Sequence, residues 1–132
     1  MNKITAREYQ TLHKKPKKTI EPLETHLQQL CIKYARNFQH KIICEGTPAQ
    51  AERKRTGYFR MEAEGYIAGS SDIKVYGKCG KVVFIELKRK GGKHSDHQKE
   101  YQKLVESFGY KYHLLYSLNE FMEVLELEFN VK

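Results

Sequence analysis

The sequence predicts an α/β domain in which helices flank a mixed β-sheet. Stretches with apolar residues at helical spacing alternate with short runs rich in β-branched and aromatic residues, such as VVFIEL at 82–87. Glycine-containing loops separate these segments, and the chain has no internal repeat. The resulting element order is α-β-α-β-β-α-β-α, which indicates a mixed sheet packed between helices.

The chain is long enough for one domain with its own core. At 132 residues it can bury roughly two thirds of the surface that it exposes when unfolded. Residues 1–20 are polar and basic with little periodicity. We predict that they form an N-terminal arm, or a short helix, ahead of a single domain at 21–132.

The first half of the domain is predicted to form two helices with a strand between them. Apolar residues recur at helical spacing from 23 to 38, and Pro22 suits a first turn. The run HKIICE at 40–45 is typical of a short strand. A second helix is expected at 47–64, where Gly65 would end it.

The second half is predicted to begin with a hairpin and to end with a helix. Its elements are strands at 72–76 and 81–88 joined by YGKCGK, a helix from Ser95 to Gly109, a strand at 110–116, and a helix that begins at Ser117. Ser95 and Gln98 have the spacing of a capping box, as do Ser117 and Glu120. Three tyrosines of the predicted strand are expected to pack in the sheet, namely Tyr110, Tyr112 and Tyr116.

Composition excludes several classes of protein. With 39% apolar and 30% charged residues, the chain is neither disordered nor embedded in a membrane. No apolar run approaches the roughly 20 residues of a spanning helix, and MNKITAREYQ lacks the apolar core of a signal peptide. The expected location is the cytoplasm, or the nucleus if reached by other means, and not the exterior. The widely spaced Cys31, Cys44 and Cys79 argue against a disulfide framework or a structural zinc site.

Positive charge is concentrated in three places. The formal net charge is +8, and the basic runs are HKKPKK at 13–18, RKR at 53–55 and KRKGGK at 88–93. Such clusters bind a phosphate backbone through counterion release, so nucleic acid is the expected partner. A basic surface that only keeps the protein soluble is the alternative. No segment resembles a base-reading helix, which favours recognition of structure over sequence.

Two carboxylates and a lysine stand at the open end of the predicted hairpin. Side chains alternate between the faces of a strand, so Glu86 and Lys88 point to the same side as Phe84. If Asp72 begins the neighbouring antiparallel strand, its carboxylate converges with that of Glu86. Two adjacent acids repel each other, and both stay ionised only beside a cation or another positive partner.

This arrangement suits phosphodiester hydrolysis. Oxygen ligands favour magnesium or manganese, which keep several waters and share their coordination with substrate phosphates. Such an ion lowers the pKa of a water and stabilises charge on the phosphodiester. Lys88 could position the water or stabilise the developing charge. A salt bridge of Glu86 with Lys88 or Lys90 at the end of the strand is the purely structural alternative.

The segment GYIAGSSDIKVYGKCGKVVFIELKRKGGKHSDHQKEYQKLVESFGYKYHLLYSLNEF resembles the VRR-NUC (virus-type replication-repair nuclease) domain, a branch of the PD...(D/E)xK nuclease superfamily. The family pattern is a glycine loop, Pro-Asp opening a strand, E-L/M-K, a second glycine loop, Ser-x-x-Gln, and a Gly-aromatic strand before a short helix. Upstream, ETHLQQLCIKYARNF is similar to the family's first helix, which carries Glu-x-x-x-Gln, and ERKRTGYFRMEAEG resembles the basic helix of stand-alone phage members. The resemblance covers about 21–127. Ser71 departs from it, because the family has a proline there, and this leaves the local turn geometry open.

The resemblance implies a restriction-endonuclease-like sheet and a defined set of functional residues. Asp72, Glu86 and the backbone carbonyl of Leu87 would ligate the metal, and Lys88 would be the catalytic lysine. Glu24 matches the glutamate of the first helix that completes the acidic cluster. The alternative for Glu24 is a favourable interaction with the helix dipole.

Two further positions have competing interpretations. Gln98 matches the glutamine of the family's next helix and lies on the inward stripe of that helix, and it could also serve the capping box. His94 and His97 have no further ligands at zinc spacing, so a solvated loop or a DNA contact is expected for them. The candidate phosphate contacts are Arg53, Lys54, Arg55, Lys90 and Lys93.

We therefore predict a Mg²⁺- or Mn²⁺-dependent endodeoxyribonuclease. The resemblance to stand-alone phage members implies action on branched DNA such as four-way (Holliday) junctions, a homodimer, and the host cytoplasm as the location if the chain is from a phage. Symmetric cutting of two strands needs two active sites, which a C2 dimer provides. The alternative is a non-catalytic basic DNA-binding module whose acidic cluster is structural.

Overall fold

The computed structural model describes residues 23–48 and 63–132. Within them lie three helices, α1 (Leu23–Ala35), α2 (Asp96–Ser107) and α3 (Leu118–Phe129), and four strands, β1 (Ile43–Gly46), β2 (Ile73–Tyr76), β3 (Val82–Leu87) and β4 (Lys111–Leu115). The predicted arm at 1–20 and nearly all of the predicted helix at 47–64 lie outside the described residues. The remaining elements follow the predicted order.

The strands form one mixed sheet in the order β1-β2-β3-β4. β1 pairs antiparallel with β2, and β2 pairs antiparallel with β3, with Ile73 opposite Ile85. β4 pairs parallel with β3, with Tyr112 opposite Phe84 and Leu115 opposite Leu87. The parallel pair follows from the intervening α2, since a chain must cross over to pair parallel. The prediction of a mixed sheet flanked by helices is confirmed.

The larger core fills one face of the sheet. Its central residues come from alternate positions of β2 and β3, and they are Ile73, Val75, Val83, Ile85 and Leu87, all 0% exposed. α1 covers them with Cys31 and Ala35, and α3 covers them with Phe121 and Leu125. Burial of these apolar side chains fixes the register of β2 against β3, because a slip of one residue would move the whole set to the opposite face.

α2 covers the other face through a smaller cluster. Tyr101 and Val105 of α2 pack with Tyr112 of β4 and with Phe84, whose ring lies 6.0 Å from that of Tyr101. The predicted packing of the tyrosines is confirmed for Tyr112, which is buried, and for Tyr110, whose ring lies 5.6 Å from that of Phe84 although it is 41% exposed. Tyr116, which follows β4, is 46% exposed.

Both capping sequences form, in different ways. Ser95 Oγ accepts from the backbone N–H of Gln98, and Gln98 Oε1 accepts from the backbone N–H of Ser95, which completes a capping box. At α3, Ser117 Oγ accepts from the N–H of Glu120. The Glu120 carboxylate, however, accepts from the N–H of Tyr116, one residue earlier than the box requires.

A buried acid lies at the end of the sheet where β3 and β4 begin. The side chain of Glu128, on α3, is 2% exposed, and Lys81 and Lys111 each place Nζ 3.1 Å from one of its oxygens. His113 Nε2 is 3.5 Å from Oε1. Although burial opposes ionisation, the lysine contacts hold the pKa of Glu128 below its usual value. This cluster ties α3 to the sheet as an ion pair network.

Candidate active site

The predicted acids meet at the end of the sheet where β3 ends. Asp72 stands one residue before β2, and the antiparallel register places it opposite Glu86. Asp72 Oδ2 accepts from the backbone N–H of Leu87 at 2.8 Å. Because the N–H and C=O of a strand residue face the same neighbour, the carbonyl of Leu87 is directed to the side of Asp72. Asp72, Glu86 and Leu87, which the sequence predicted to lie together, are therefore close in space.

Glu86 is buried between two polar partners. It is 2% exposed. Its Oε1 accepts from Gln98 Nε2 at 2.6 Å and lies 3.8 Å from Lys88 Nζ. Among the described residues, no hydrogen bond reaches its Oε2, although this atom is buried. A buried carboxylate oxygen without a donor is costly, so its environment favours a proton or a cation there.

The protonation of the two acids reflects this environment. Burial, reinforced by the charge of Asp72, raises the pKa of Glu86 to about 9. Burial also raises the pKa of Asp72, against the opposing effects of the Leu87 N–H and Glu86. Without a bound cation, the pair therefore retains a proton at neutral pH. Two carboxyl groups that share a proton can exchange it for a divalent cation.

The backbone of Asp72 is held by α1 and by Thr47. Gln28 Nε2 donates to the carbonyl oxygens of Thr47 at 3.0 Å and of Asp72 at 3.3 Å. The Thr47 N–H also donates to the carbonyl of Asp72. Gln28 is the glutamine of the Glu-x-x-x-Gln spacing in α1, four residues after Glu24 and on the same side of the helix, and its contact with Asp72 was not predicted. Its function is to fix the position of the acid-bearing turn.

Ser71 stabilises the turn that precedes Asp72. It is 0% exposed. Its Oγ donates to the carbonyl of Ile73 at 3.3 Å, and its own carbonyl accepts from the Thr47 hydroxyl at 3.1 Å. These hydrogen bonds hold the turn without the fixed φ of a proline ring.

The loop that precedes the acids lies against the start of α2. Gly69 has φ +79°, and a Cβ at this position would lie 2.2 Å from the carbonyl oxygen of His97. Only a glycine permits this close approach in a left-handed conformation. The loop and the first turn of α2 therefore pack tightly, on the same side of the sheet from which Gln98 reaches Glu86.

Lys88 completes the group at the end of β3. It is 8% exposed, and its backbone N–H donates to the carbonyl of Leu115 at 2.8 Å, which extends the parallel pairing by one residue. This pairing fixes the backbone from which Lys88 projects toward Glu86. Lysine is almost never buried unless a negative partner is near, and the pair of Asp72 and Glu86, which keeps one negative charge when it shares a proton, provides it.

Glu24 lies at the margin of the acid pair. Its Oε1 accepts from the backbone N–H of Arg89 at 3.2 Å, and its charge contributes to the raised pKa of Asp72. No group of three or more His, Cys, Asp or Glu side chains in the described residues is compact enough to hold a metal. The oxygen donors that converge are therefore the two carboxylates of Asp72 and Glu86, with the Leu87 carbonyl beside them.

This donor set fits a magnesium-type ion. Mg²⁺ is commonly held by one or two carboxylates and otherwise keeps its waters, so a third acid is not required. The unpaired Oε2 of Glu86 supplies a buried oxygen that has no donor among the described residues. A divalent cation would be bound by these oxygens, and it would replace the proton that the raised pKa of both acids retains.

The predicted phosphate contacts are only partly described. Lys90 and Lys93 are exposed on the loop between β3 and α2, next to Lys88. Arg53, Lys54 and Arg55 lie outside the described residues. The basic loop is therefore adjacent to the acid pair, and a role for the RKR run stays a prediction.

Comparison with known proteins identifies the fold. No family model matches the sequence, and no curated protein is significantly similar to it. A solved structure described as a VRR_NUC domain superposes with a TM-score of 0.56 at 16% identity, over 78% of this chain and 94% of the other. A second, described as a VRR_NUC domain protein, gives a TM-score of 0.60 at 16% identity, over 81% and 88%. The chain has the VRR-NUC fold.

Within the VRR-NUC fold, the group at the end of β3 is the candidate active site. The resemblance stated for the sequence is confirmed at the level of the fold, over most of both chains.

The described helices offer no candidate for a membrane crossing, since none combines the necessary length with apolar character.

Proposed function

We propose that this protein is a divalent-metal-dependent DNA endonuclease. The observation that carries the proposal is the pairing of half-buried Asp72 with buried Glu86. The pKa of each carboxyl is raised, one oxygen of Glu86 has no donor among the described residues, and a buried lysine lies beside them. Glu128, another buried acid, also has an oxygen without a hydrogen bond among the described residues, but two lysines lie 3.1 Å from its oxygens, whereas the lysine beside Glu86 is 3.8 Å away. The VRR-NUC fold supports the same assignment.

Asp72, Glu86 and the carbonyl of Leu87 would hold the ion, with Glu24 close enough to act through its charge or a bridging water. When bound, Mg²⁺ or Mn²⁺ lowers the pKa of a water and stabilises negative charge on the phosphodiester. The carboxylates orient the ion because their own positions are fixed: the Leu87 N–H holds Asp72, and Gln98 holds Glu86.

Lys88 would contact the reacting phosphate. Its ammonium group is held near the acids by Glu86, and a fixed positive charge in a buried site stabilises the charge that develops on phosphate oxygens. Gln98 acts as a positioning residue, because its amide donates to Glu86 while its carbonyl oxygen caps α2. Exposed Lys90 and Lys93, together with the RKR run, would bind the backbone of the DNA.

Branched DNA is the proposed substrate, with four-way junctions the first candidate, and a C2 homodimer in the cytoplasm the proposed assembly. The absence of a base-reading element in the sequence favours recognition of DNA shape and backbone. Two symmetric cuts in a junction require two active sites, and each protomer supplies one.

Cleavage of a labelled substrate panel tests the proposal. Four-way junctions, flaps and plain duplex are incubated with Mg²⁺, with Mn²⁺ and with EDTA, and the products are resolved on a denaturing gel. We expect metal-dependent cutting that is fastest on the branched substrates. DNA binding without cleavage of any substrate in either metal would instead identify a non-catalytic DNA-binding module.

Substitutions of the acid pair provide the second test. Asp72→Asn and Glu86→Gln should each reduce cleavage at least about 100-fold, because each removes a ligand, while junction affinity is unchanged or increased through loss of negative charge near phosphate. Glu123→Gln, on the exposed surface of α3, is the matched control and should cleave like the wild type. Loss of binding in parallel with loss of cleavage would show that the acids maintain the fold instead.

A further inference from the structure

His94 and Tyr112 form a pair that the proposed chemistry has not used. His94 Nε2 lies 3.1 Å from the Tyr112 hydroxyl, and the two rings are 5.8 Å apart. Tyr112 is buried in β4, whereas His94 is half-buried in the loop that joins Lys88 to the cap of α2. Residue spacing did not predict this pair, because the two residues come from a loop and from a strand 18 positions apart.

The direction of this hydrogen bond follows from the surroundings of Tyr112. Burial and the charges of Glu86 and Asp72 raise the pKa of the phenol, which therefore keeps its proton. A buried hydroxyl donates wherever an acceptor is available, and among the described residues His94 is the partner of this one. Donation from the Tyr112 hydroxyl to Nε2 would place the ring proton of His94 on Nδ1.

The charge state of His94 follows from its neighbours. Burial lowers its pKa, and the positive charges of Lys88 and Lys99 lower it further. The ring is therefore neutral at physiological pH and presents one N–H donor, at Nδ1. Within 23–48 and 63–132, the groups that act on it are the charges of Lys88 and Lys99 and the Tyr112 hydroxyl, and no carboxylate contacts it; this combination attracts an anion.

We propose that Tyr112 holds His94 as a neutral hydrogen-bond donor, through Nδ1–H, to a non-bridging oxygen of the same phosphate that Lys88 contacts. This inference rests on the proposed nuclease function and adds a substrate-binding residue to it. His94 thereby orients the phosphate between Lys88 and Lys99, and Tyr112 acts as the positioning residue that fixes the tautomer.

The two histidines of this segment are thereby distinguished. His97, three residues further on, has a side chain that is 73% exposed and lies 4.0 Å from Glu100 on the outer surface of α2. His94, in contrast, contacts buried Tyr112 of β4, and the charge of Lys88 acts on its ring. A solvated loop position accounts for His97 and not for His94.

Steady-state cleavage kinetics with matched variants test the role of His94. His94→Gln should lower kcat about 10- to 100-fold with little change in KM, because a donor aimed at the phosphate acts mainly in the transition state. Tyr112→Phe, which keeps the ring, should lower kcat about 3- to 10-fold. His97→Gln and Tyr110→Phe are the controls and should leave kcat unchanged.

The tautomer of His94 is a readout that does not depend on cleavage. Long-range ¹H–¹⁵N NMR of the metal-free protein should show His94 in the Nδ1–H form, and Tyr112→Phe should shift it toward the Nε2–H form that predominates in free histidine. Addition of a duplex oligonucleotide in EDTA should move the Nδ1 resonance of His94 and leave that of His97 in place.

The outcomes separate the two proposals. If wild-type protein cleaves DNA and His94→Gln cleaves equally well, the role of His94 is refuted and the nuclease function stands. An Nε2–H tautomer in the wild type, or a His94 resonance that does not respond to DNA, likewise overturns the inference. If the wild-type protein cleaves no substrate, the nuclease function fails, and the inference fails with it.

Discussion

Glu86 shows how one side chain can link folding to metal binding. Its carboxylate is buried at the end of a strand whose other inward positions are apolar, and one oxygen has no donor among the described residues. Burial of such a group is unfavourable when it is ionised and alone, so the protein must supply a proton or a cation. The residue therefore costs stability, which the proposed ion would restore.

This cost predicts an unusual dependence of stability on pH. The folded-state pKa of Glu86, about 9, lies above the ordinary value of 4.5, so the folded protein binds more protons than the unfolded chain between these limits. Stability then falls as the pH rises through this window. In EDTA, we expect the Tm to decrease by about 5 °C or more between about pH 5.5 and pH 8.5.

Mg²⁺ and a single substitution provide the controls for this prediction. Mg²⁺ should raise the Tm more at the higher pH, because the ion replaces a proton that is already weakly held there. Glu86→Gln should flatten the decrease in EDTA and abolish the response to Mg²⁺. An equal pH dependence in wild type and Glu86→Gln would assign the effect to other groups.

At the scale of elements, one side chain, that of Gln98, links the first turn of α2 to the acid pair. Gln98 closes the capping box with Ser95 and donates to Glu86 at the same time. The two interpretations of Gln98 that the sequence left open therefore describe one geometry, in which the cap fixes the amide that orients the acid. A change in the cap should consequently alter the position of Glu86 and lower the rate of cleavage.

Two serine caps allow this coupling to be measured. Ser95→Ala and Ser117→Ala each remove a side-chain acceptor at a helix start and should each cost about 1 kcal/mol in urea unfolding. Only Ser95→Ala should also slow cleavage, by about 3- to 10-fold, because only that cap holds a residue of the site. Equal cleavage rates for the two variants would show that Gln98 is oriented without its cap.

The sequence was most informative where an interaction is local. Asp72, Glu86 and Gln98 belong to a hairpin and the helix after it, so alternation and cap spacing place them together. The pairing of His94 with Tyr112 depends on the register of the parallel β4, and the contact of Gln28 with Asp72 depends on how α1 docks. Neither packing leaves a periodic signal, which is why residue spacing did not reveal these contacts.

At the scale of the whole molecule, only some of the positively charged side chains are available to bind DNA. Lys81 and Lys111 both face the buried carboxylate of Glu128, and Lys88 faces Glu86. Lys90 and Lys93, in contrast, are exposed beside the acid pair. The net charge of +8 therefore does not show where the unpaired positive charge lies on the surface.

The salt dependence of binding tests which lysines contact the backbone. Affinity for a four-way junction, measured in Ca²⁺ by fluorescence anisotropy, should fall steeply with salt. The double variant Lys90→Gln/Lys93→Gln should reduce the slope of log K against log salt by about 2, which corresponds to two lost phosphate contacts. Lys132→Gln, a surface lysine paired with Glu126, is the control and should keep the wild-type slope. A shallow slope in the wild type would contradict backbone recognition.

The hydrogen bonds of the site also differ greatly in the length of chain that they close. Those from Gln98 to Glu86 and from Leu87 to Asp72 span 12 and 15 residues, whereas those of Gln28 with Asp72 and of Glu24 with Arg89 span 44 and 65. Short loops lose less entropy on closure and form sooner than long ones. The two acids and their glutamine can therefore assemble as a local unit early in folding, and the docking of α1 then locks a geometry that already exists.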